Sequence, residues 1–240
     1  FIREFISGLL ARLKELGVDR RCIFHISDEP NLTQLESYKK AKSLVSDLLE
    51  GYRVTDALSS YDFYSTGACQ SPIPASNHIE PFIENNVPDL WTYYCCSQNK
   101  DVSNRFLAMP GQRTRILGEQ LYKFDIKGFL QWGFNFWYSQ GSLRRLNPFI
   151  DTCGDYFVPS GDAFSVYPGR DGKALYSLHA VHFYEGLQDL RALKLLESKI
   201  GRDKVISLID ESCEEPMTFA KYPKSQGYLL ELREKVNSLL

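Results

Sequence analysis

Residues 22–31 read "CIFHISDEPN". An apolar run rich in β-formers ends in two adjacent acids, Asp28 and Glu29, and Pro30 follows at once. The run has the length and composition of a buried strand. Pro30 biases Glu29 away from helical dihedrals, so the strand ends here. The acids then have two readings. In one, Ser27 or Asp28 caps the next helix, with Pro30 in its first turn and an acid at the positive end of the dipole. In the other, the acids are functional groups at a strand's carboxyl end, where parallel α/β folds gather their chemistry. On an ideal strand His25, Ser27 and Glu29 share one face while Phe24, Ile26 and Asp28 take the other. The acids therefore converge on one ligand only where the strand bends or ends.

Outward from this stretch, short apolar runs alternate with amphipathic segments. Upstream, a helix at Ile2–Leu16 stops at Gly17. Downstream, "NLTQLESYKKAKSLVSDLLEG" carries apolar residues at helical spacing as far as Gly51. "YRVTDAL", "PIPAS", "DLWTYYCC" and "FLQWGFNFW" read as four more strands. Between them lie a short helix or loop over 61–67, a helical piece at "IEPFIEN", and a helix over "GQRTRILGEQLYKFDIKG". A loop with Pro148, Pro159 and Pro168 holds a small hairpin. A long helix over "ALYSLHAVHFYEGLQDLRALKLLESKIG" follows, with a break expected near Gly186. Two helices, near 204–212 and 225–239, finish the chain. This alternation implies a parallel sheet with helices outside it, as an open doubly wound sheet or part of an eight-stranded barrel. The glycine-rich phosphate turns of nucleotide folds follow none of the strands; "YPGRDGK" lacks both the spacing and the context. No repeat or low-complexity linker divides the chain, so one domain is expected.

The 240 residues are 43% hydrophobic with a net charge of -2, enough for one large core and without the basic stripe that nucleic acid demands. No run approaches the roughly 20 apolar residues needed to span a bilayer. Neither a nucleic-acid nor a membrane partner is expected. The 14 Tyr, 15 Phe and 3 Trp suit sugar sites as well as an ordinary core. The cysteines (22, 69, 95, 96, 153 and 213) form no metal-binding or redox spacing and read as buried free thiols. Phe1 opens an amphipathic helix rather than a signal peptide, so the chain reads as cut from a longer one. A targeting signal would lie upstream, and the sequence assigns no compartment, cytoplasmic or secreted.

"HISDEP" after an apolar strand is similar to the Asp–Glu signature of barrel-type β-N-acetylhexosaminidases. "DLWTYYCC", "GFLQWGFNFW", and "YPGRDGK" leading into "SLHAVHFYEGLQDLRALKLL" follow in order. Together they resemble the catalytic domain of glycoside hydrolase family 123 over roughly residues 1–200. The resemblance implies an α/β fold, a (β/α)8 TIM barrel whose acid pair follows strand four. This chain would then carry strands four to eight, with terminal helices over 201–240, and its partner would be the upstream half of the same barrel. It implies a carbohydrate substrate, a glycan with N-acetylhexosamine, and neither metal nor cofactor. Catalysis would be substrate-assisted: the 2-acetamido oxygen attacks the anomeric carbon and forms an oxazolinium ion. Glu29 matches the general acid, and Asp28 the group that orients the acetamido N–H.

The supporting residues have structural alternatives. Tyr93 or Tyr94 would donate to the acetamido carbonyl, or stand in the core wall. Asn135 would hold a sugar hydroxyl, or satisfy loop backbone. Trp132 and Trp137 would floor a sugar ring, although they take opposite faces of an ideal strand. His25 is a binding candidate or a hydrogen-bonded core histidine, and Asp56 a further pocket candidate. Where many relatives carry Ser-Ile-Arg and Arg-Glu-Gly, this chain has Ser177-Leu178-His179 and Tyr184-Glu185-Gly186. The resemblance therefore favours terminal β-linked N-acetylgalactosamine only slightly over N-acetylglucosamine, and the family's preference is not carried over as given. Two other functions stay open: a glycosidase using a conventional carboxylate pair, drawing on Asp56, Asp151, Asp155 or Asp162, and a non-catalytic carbohydrate-binding barrel.

Overall fold

Apolar residues at helical spacing build α1, Ile2–Glu15, and the chain turns away at Gly17 (φ +65°). Leu10 packs with Val45 and Leu49, and Phe24, Ile26 and Val54 close over them. The structure is a computed structural model describing residues 1–240, and it divides into two units, Phe1–Tyr93 and Tyr94–Leu240.

The first unit carries five short strands: β1 (Ile23–Phe24), β2 (Arg53–Val54), β3 (Asp56–Ala57), β4 (Pro72–Ile73) and β5 (Trp91–Tyr93). β1 pairs in parallel with β2, and β3 with β4. A parallel bridge joins Ala75 to Tyr93. The helix expected to reach Gly51 is instead a 3-10 turn, Leu32–Gln34, and α2, Leu35–Ser43. The Ser43 hydroxyl bonds back to the Lys40 carbonyl, an interaction that competes with the helix ladder. Turns carry the chain onward from there. Short helices α3 (Asp62–Ser65) and α4 (Glu80–Glu84) complete the unit.

In the second unit α5 (Gln112–Arg115) and α6 (Leu117–Lys123) divide the segment read as one helix. Strand β6 (Gly128–Leu130) follows, then an antiparallel hairpin of β7 (Val166–Pro168) and β8 (Ala174–Tyr176) with "GRDG" at its turn. Helices α7 (Leu178–Ile200), α8 (Arg202–Glu211) and α9 (Gln226–Leu239) end the chain. The break expected at Gly186 does not occur, and α7 runs unbroken for 23 residues. Gly186 serves packing instead. A Cβ on Gly118 of α6 would stand 1.8 Å from the Gly186 carbonyl oxygen, so only glycine permits this approach. Asp189 on α7 pairs with Arg115 at 2.6 Å and with Arg233 of α9 at 2.8 Å. A core of Leu193, Leu196, Val205, Ile209, Leu229 and Leu232 fills the space between the helices.

The expected (β/α)8 TIM barrel, with strands four to eight in this chain, is not formed. Strands are two or three residues long and no sheet exceeds two strands. Local chemistry accounts for the short ladders. Pro72 and Pro74 remove two N–H donors from "PIPAS". "FLQWGFNFW" leaves strand geometry after Leu130; its Asn135 makes an antiparallel bridge to Phe164, and Tyr138, the residue after it, another to Arg145. The six cysteines are free, but only Cys69 is buried; the others are partly exposed. Cys95 and Cys96 hold their sulfurs 4.0 Å apart, twice a disulfide bond. No helix is long and apolar enough to cross a membrane.

Candidate active site

β1 ends at Phe24, and the next residues are held from below by Asp56 of β3. The Asp56 side chain is fully buried. Its Oδ1 accepts the backbone N–H groups of Ile26 at 2.6 Å and Ser27 at 3.0 Å, while Oδ2 accepts the Tyr38 hydroxyl at 2.7 Å. Burial pushes the Tyr38 hydroxyl well above the usual phenol range, so it stays a donor. Two residues on, the Glu29 N–H donates to the Ala57 carbonyl at 2.9 Å, and Glu29 itself adopts φ +44°. A side chain in this left-handed region costs about 1–2 kcal/mol, and such strain gathers at functional sites. The bend presents both Asp28 and Glu29 to solvent, where an ideal strand would send them to opposite faces.

Neither Ser27 nor Asp28 caps the following helix. Asn31 does: its Oδ1 accepts the Thr33 N–H at 3.0 Å, and Gln34 Oε1 reaches back to the Asn31 N–H at 3.0 Å. This reciprocal capping box was written in the sequence as Asn-x-x-Gln, one step beyond the proline. The acids are thereby released from structural duty.

Of the candidate ligand residues, His25 and Tyr93 lie in the same unit as the acids. Tyr93, at the end of β5 and 6% exposed, donates its hydroxyl to Glu29 Oε1, which leaves Oε2 for other partners. His25 is half-exposed, not a core histidine, with Nδ1 4.0 Å from Asp56 Oδ1. The unit thus offers two adjacent carboxylates, one of them fixed by a phenol. That set can give and take a proton and accept a hydrogen bond beside it.

Tyr94, Trp132, Asn135 and Trp137 belong to the second unit. Tyr94 is fully buried with its ring against Phe129, and burial raises its hydroxyl to about 12. Trp132 is partly exposed within a cluster of Phe136 and Phe157, and its Nε1 donates to Asp162 at 3.1 Å. Trp137 turns the other way, donating to the Val166 carbonyl at 3.0 Å. Asn135 is exposed and bridges to Phe164 through its backbone.

The carboxylates that would supply a conventional second group are engaged. Asp151 accepts the Cys153 and Asp155 N–H groups, bonds that hold its carboxyl below the usual range against the opposing effect of burial. Asp155 pairs with Arg144 at 2.7 Å. Asp162 is buried 3.3 Å from Arg105; burial lifts it to about 6, against the pull of the arginine and the Trp132 N–H. Arg105 also lines a cavity of about 470 Å³ with Gln131, Phe134, His179 and Phe183.

Comparison with known families finds that the model for the glycoside hydrolase 123 catalytic domain matches residues 1–196. Comparison with curated proteins finds no match.

Proposed function

The chain belongs to the glycoside hydrolase 123 family, matched over its catalytic domain, and on that premise we propose that it cleaves terminal β-linked N-acetylhexosamine, N-acetylgalactosamine before N-acetylglucosamine, by a substrate-assisted retaining mechanism. A glycoside hydrolase takes a carbohydrate substrate, and the chemistry falls to the acid pair. The acetamido oxygen attacks the anomeric carbon as the glycosidic C–O bond breaks, and Glu29 gives its proton to the departing oxygen. Asp28 accepts the acetamido N–H, orienting the nucleophile and balancing the positive charge of the oxazolinium ion. In the second half Glu29 takes a proton from water as that water attacks the anomeric carbon. The oxazolinium C1–O bond breaks as the water oxygen bonds to the anomeric carbon, and the acetamide is restored with retained configuration. Tyr93 holds Glu29 in one orientation through both halves.

The observation that carries the reading is the Tyr93 hydroxyl on Glu29 Oε1, with Asp28 adjacent and both acids exposed on a strained bend. The engagement of Asp56, Asp151, Asp155 and Asp162 elsewhere favours a nucleophile supplied by the substrate. In the second unit, the partly exposed Trp132, packed against Phe136 and Phe157, offers an apolar surface suited to a sugar ring, and the exposed Asn135 an amide.

The test is hydrolysis of aryl β-N-acetylgalactosaminide and β-N-acetylglucosaminide by the full chain, with Glu29→Gln as control. Turnover on the first that exceeds the second, and that falls ~10²–10⁴-fold in the variant, is the expected result. Cleavage of the corresponding sugars lacking the acetamido group would overturn the substrate-assisted step. Sugar binding without turnover would reduce the site to a binding surface.

A further inference from the structure

The acid pair sits on a bend whose backbone has few local reasons to exist. Glu29 is a non-glycine residue at positive φ, and Ser27 and Asp28 belong to no regular element. What fixes the bend comes from 30 residues away. One buried carboxylate, Asp56, accepts two successive backbone N–H groups, Ile26 and Ser27, on a single oxygen, and its other oxygen is occupied by the buried Tyr38 hydroxyl. The residue after it, Ala57, supplies the carbonyl that accepts the Glu29 N–H. Strand β3 thus grips the bend at three donors, the N–H groups of Ile26, Ser27 and Glu29, and Tyr38 closes the carboxylate against rotation. Tyr38 is itself placed by α2 and by an edge-on contact with Phe63, ring centroids 5.3 Å apart.

We infer that Asp56, seconded by Tyr38, is the positioning residue for Glu29: it touches no substrate and sets the place from which Glu29 delivers its proton. The inference rests on the reading of Glu29 as general acid. A displacement of about 1 Å in a reacting group costs on the order of 10²-fold in rate, and the cost falls on the step that needs the proton. A glycoside with a poor leaving group needs that proton; one with dinitrophenolate as leaving group scarcely does. Loss of a positioning residue is therefore selective by leaving group, whereas partial unfolding lowers every substrate by the same factor.

The experiment compares Asp56→Ala, Asp56→Asn and Tyr38→Phe in the full chain on phenyl and 2,4-dinitrophenyl β-N-acetylhexosaminides, with Glu29→Gln alongside. In Asp56→Ala, kcat/KM should fall ~10²-fold on the phenyl glycoside and less than ~10-fold on the dinitrophenyl one, the loss lying in kcat. Asp56→Asn keeps an acceptor for both N–H groups and should recover most of the rate. Tyr38→Phe keeps the ring contact with Phe63, removes one donor, and should show a smaller loss with the same leaving-group bias. It carries the test if Asp56→Ala does not fold. Amide exchange adds a readout independent of turnover: Ile26 and Ser27 should lose protection in Asp56→Ala, while Leu58, bonded to the Ile73 carbonyl, keeps it. Equal losses on both glycosides, or none in either Tyr38→Phe or Asp56→Ala, would overturn the inference while a dead Glu29→Gln left the reading of the acid intact. A fully active Glu29→Gln would overturn both.

Discussion

At the scale of the residue, Glu29 holds a conformation that its side chain resists, with φ +44° beside an exposed carboxylate. Removing the side chain separates conformation from chemistry. Glu29→Gly should be about 1 kcal/mol more stable than Glu29→Ala in urea unfolding, because only glycine enters this region without strain, and both should be inactive. Equal stabilities would mean that the backbone relaxes out of the bend. Asp56→Ala should cost several kcal/mol, since it strands two backbone donors and a phenol at about 1–3 kcal/mol each. The acids themselves were legible in the sequence, as an abrupt polar end to an apolar run. The role of Asp56 was not. Its two donors lie 30 and 29 residues away, a relation that no local spacing encodes.

At the scale of the element, glycines that look alike in sequence carry opposite consequences. Gly8, in the exposed interior of α1, has nothing within 4 Å of a built Cβ, whereas Gly118 meets the Gly186 carbonyl at 1.8 Å. Gly8→Ala should raise stability by about 0.5–1 kcal/mol through helix propensity. Gly118→Ala should lower it by about 3 kcal/mol or more, because the close crossing of α6 and α7 must open. Urea midpoints of the two variants check both signs. Helix positions were legible from periodicity, and α1, α7 and α9 lie within a few residues of expectation. Strand extents were not, because an apolar run does not reveal which of its N–H groups find partners. Pro72 and Pro74 show the cost of ignoring that, and the number of apolar runs said nothing about closure into a barrel.

At the scale of the whole molecule, stability responds to a buried acid that takes no part in the proposed chemistry. Glu119 is 2% exposed, and burial lifts it from 4.5 to about 8, opposed by the hydrogen bond from Tyr228 at 2.9 Å and by the Arg115 charge. The folded chain therefore keeps a proton that the unfolded chain releases. This contribution is complete below about 4.5 and is lost as the pH rises toward 8. His179 runs the other way: burial, aided by Arg105 and His182, lowers it to about 4, so its contribution is lost as the pH falls from 6.5 toward that value. Between pH 6.5 and 8 the glutamate acts without that opposition, and unfolding free energy should fall by up to about 2 kcal/mol. Glu119→Gln, which preserves an acceptor for Tyr228, should flatten that slope in urea titrations at the two pH values. An unchanged slope would assign it to other groups.

The Asn31–Gln34 box leaves the helix start anchored without either acid. On the proposed reading a Glu29→Gln chain should therefore keep its architecture and its Asp28 while losing the group that moves the proton. Immobilised on a resin, such a chain becomes a bait. Passed over mixed polysaccharides and glycoproteins, it would retain whatever sugar terminus the acid pair accepts, and mass spectrometry of the eluate would read out the target without guessing a chromogenic surrogate.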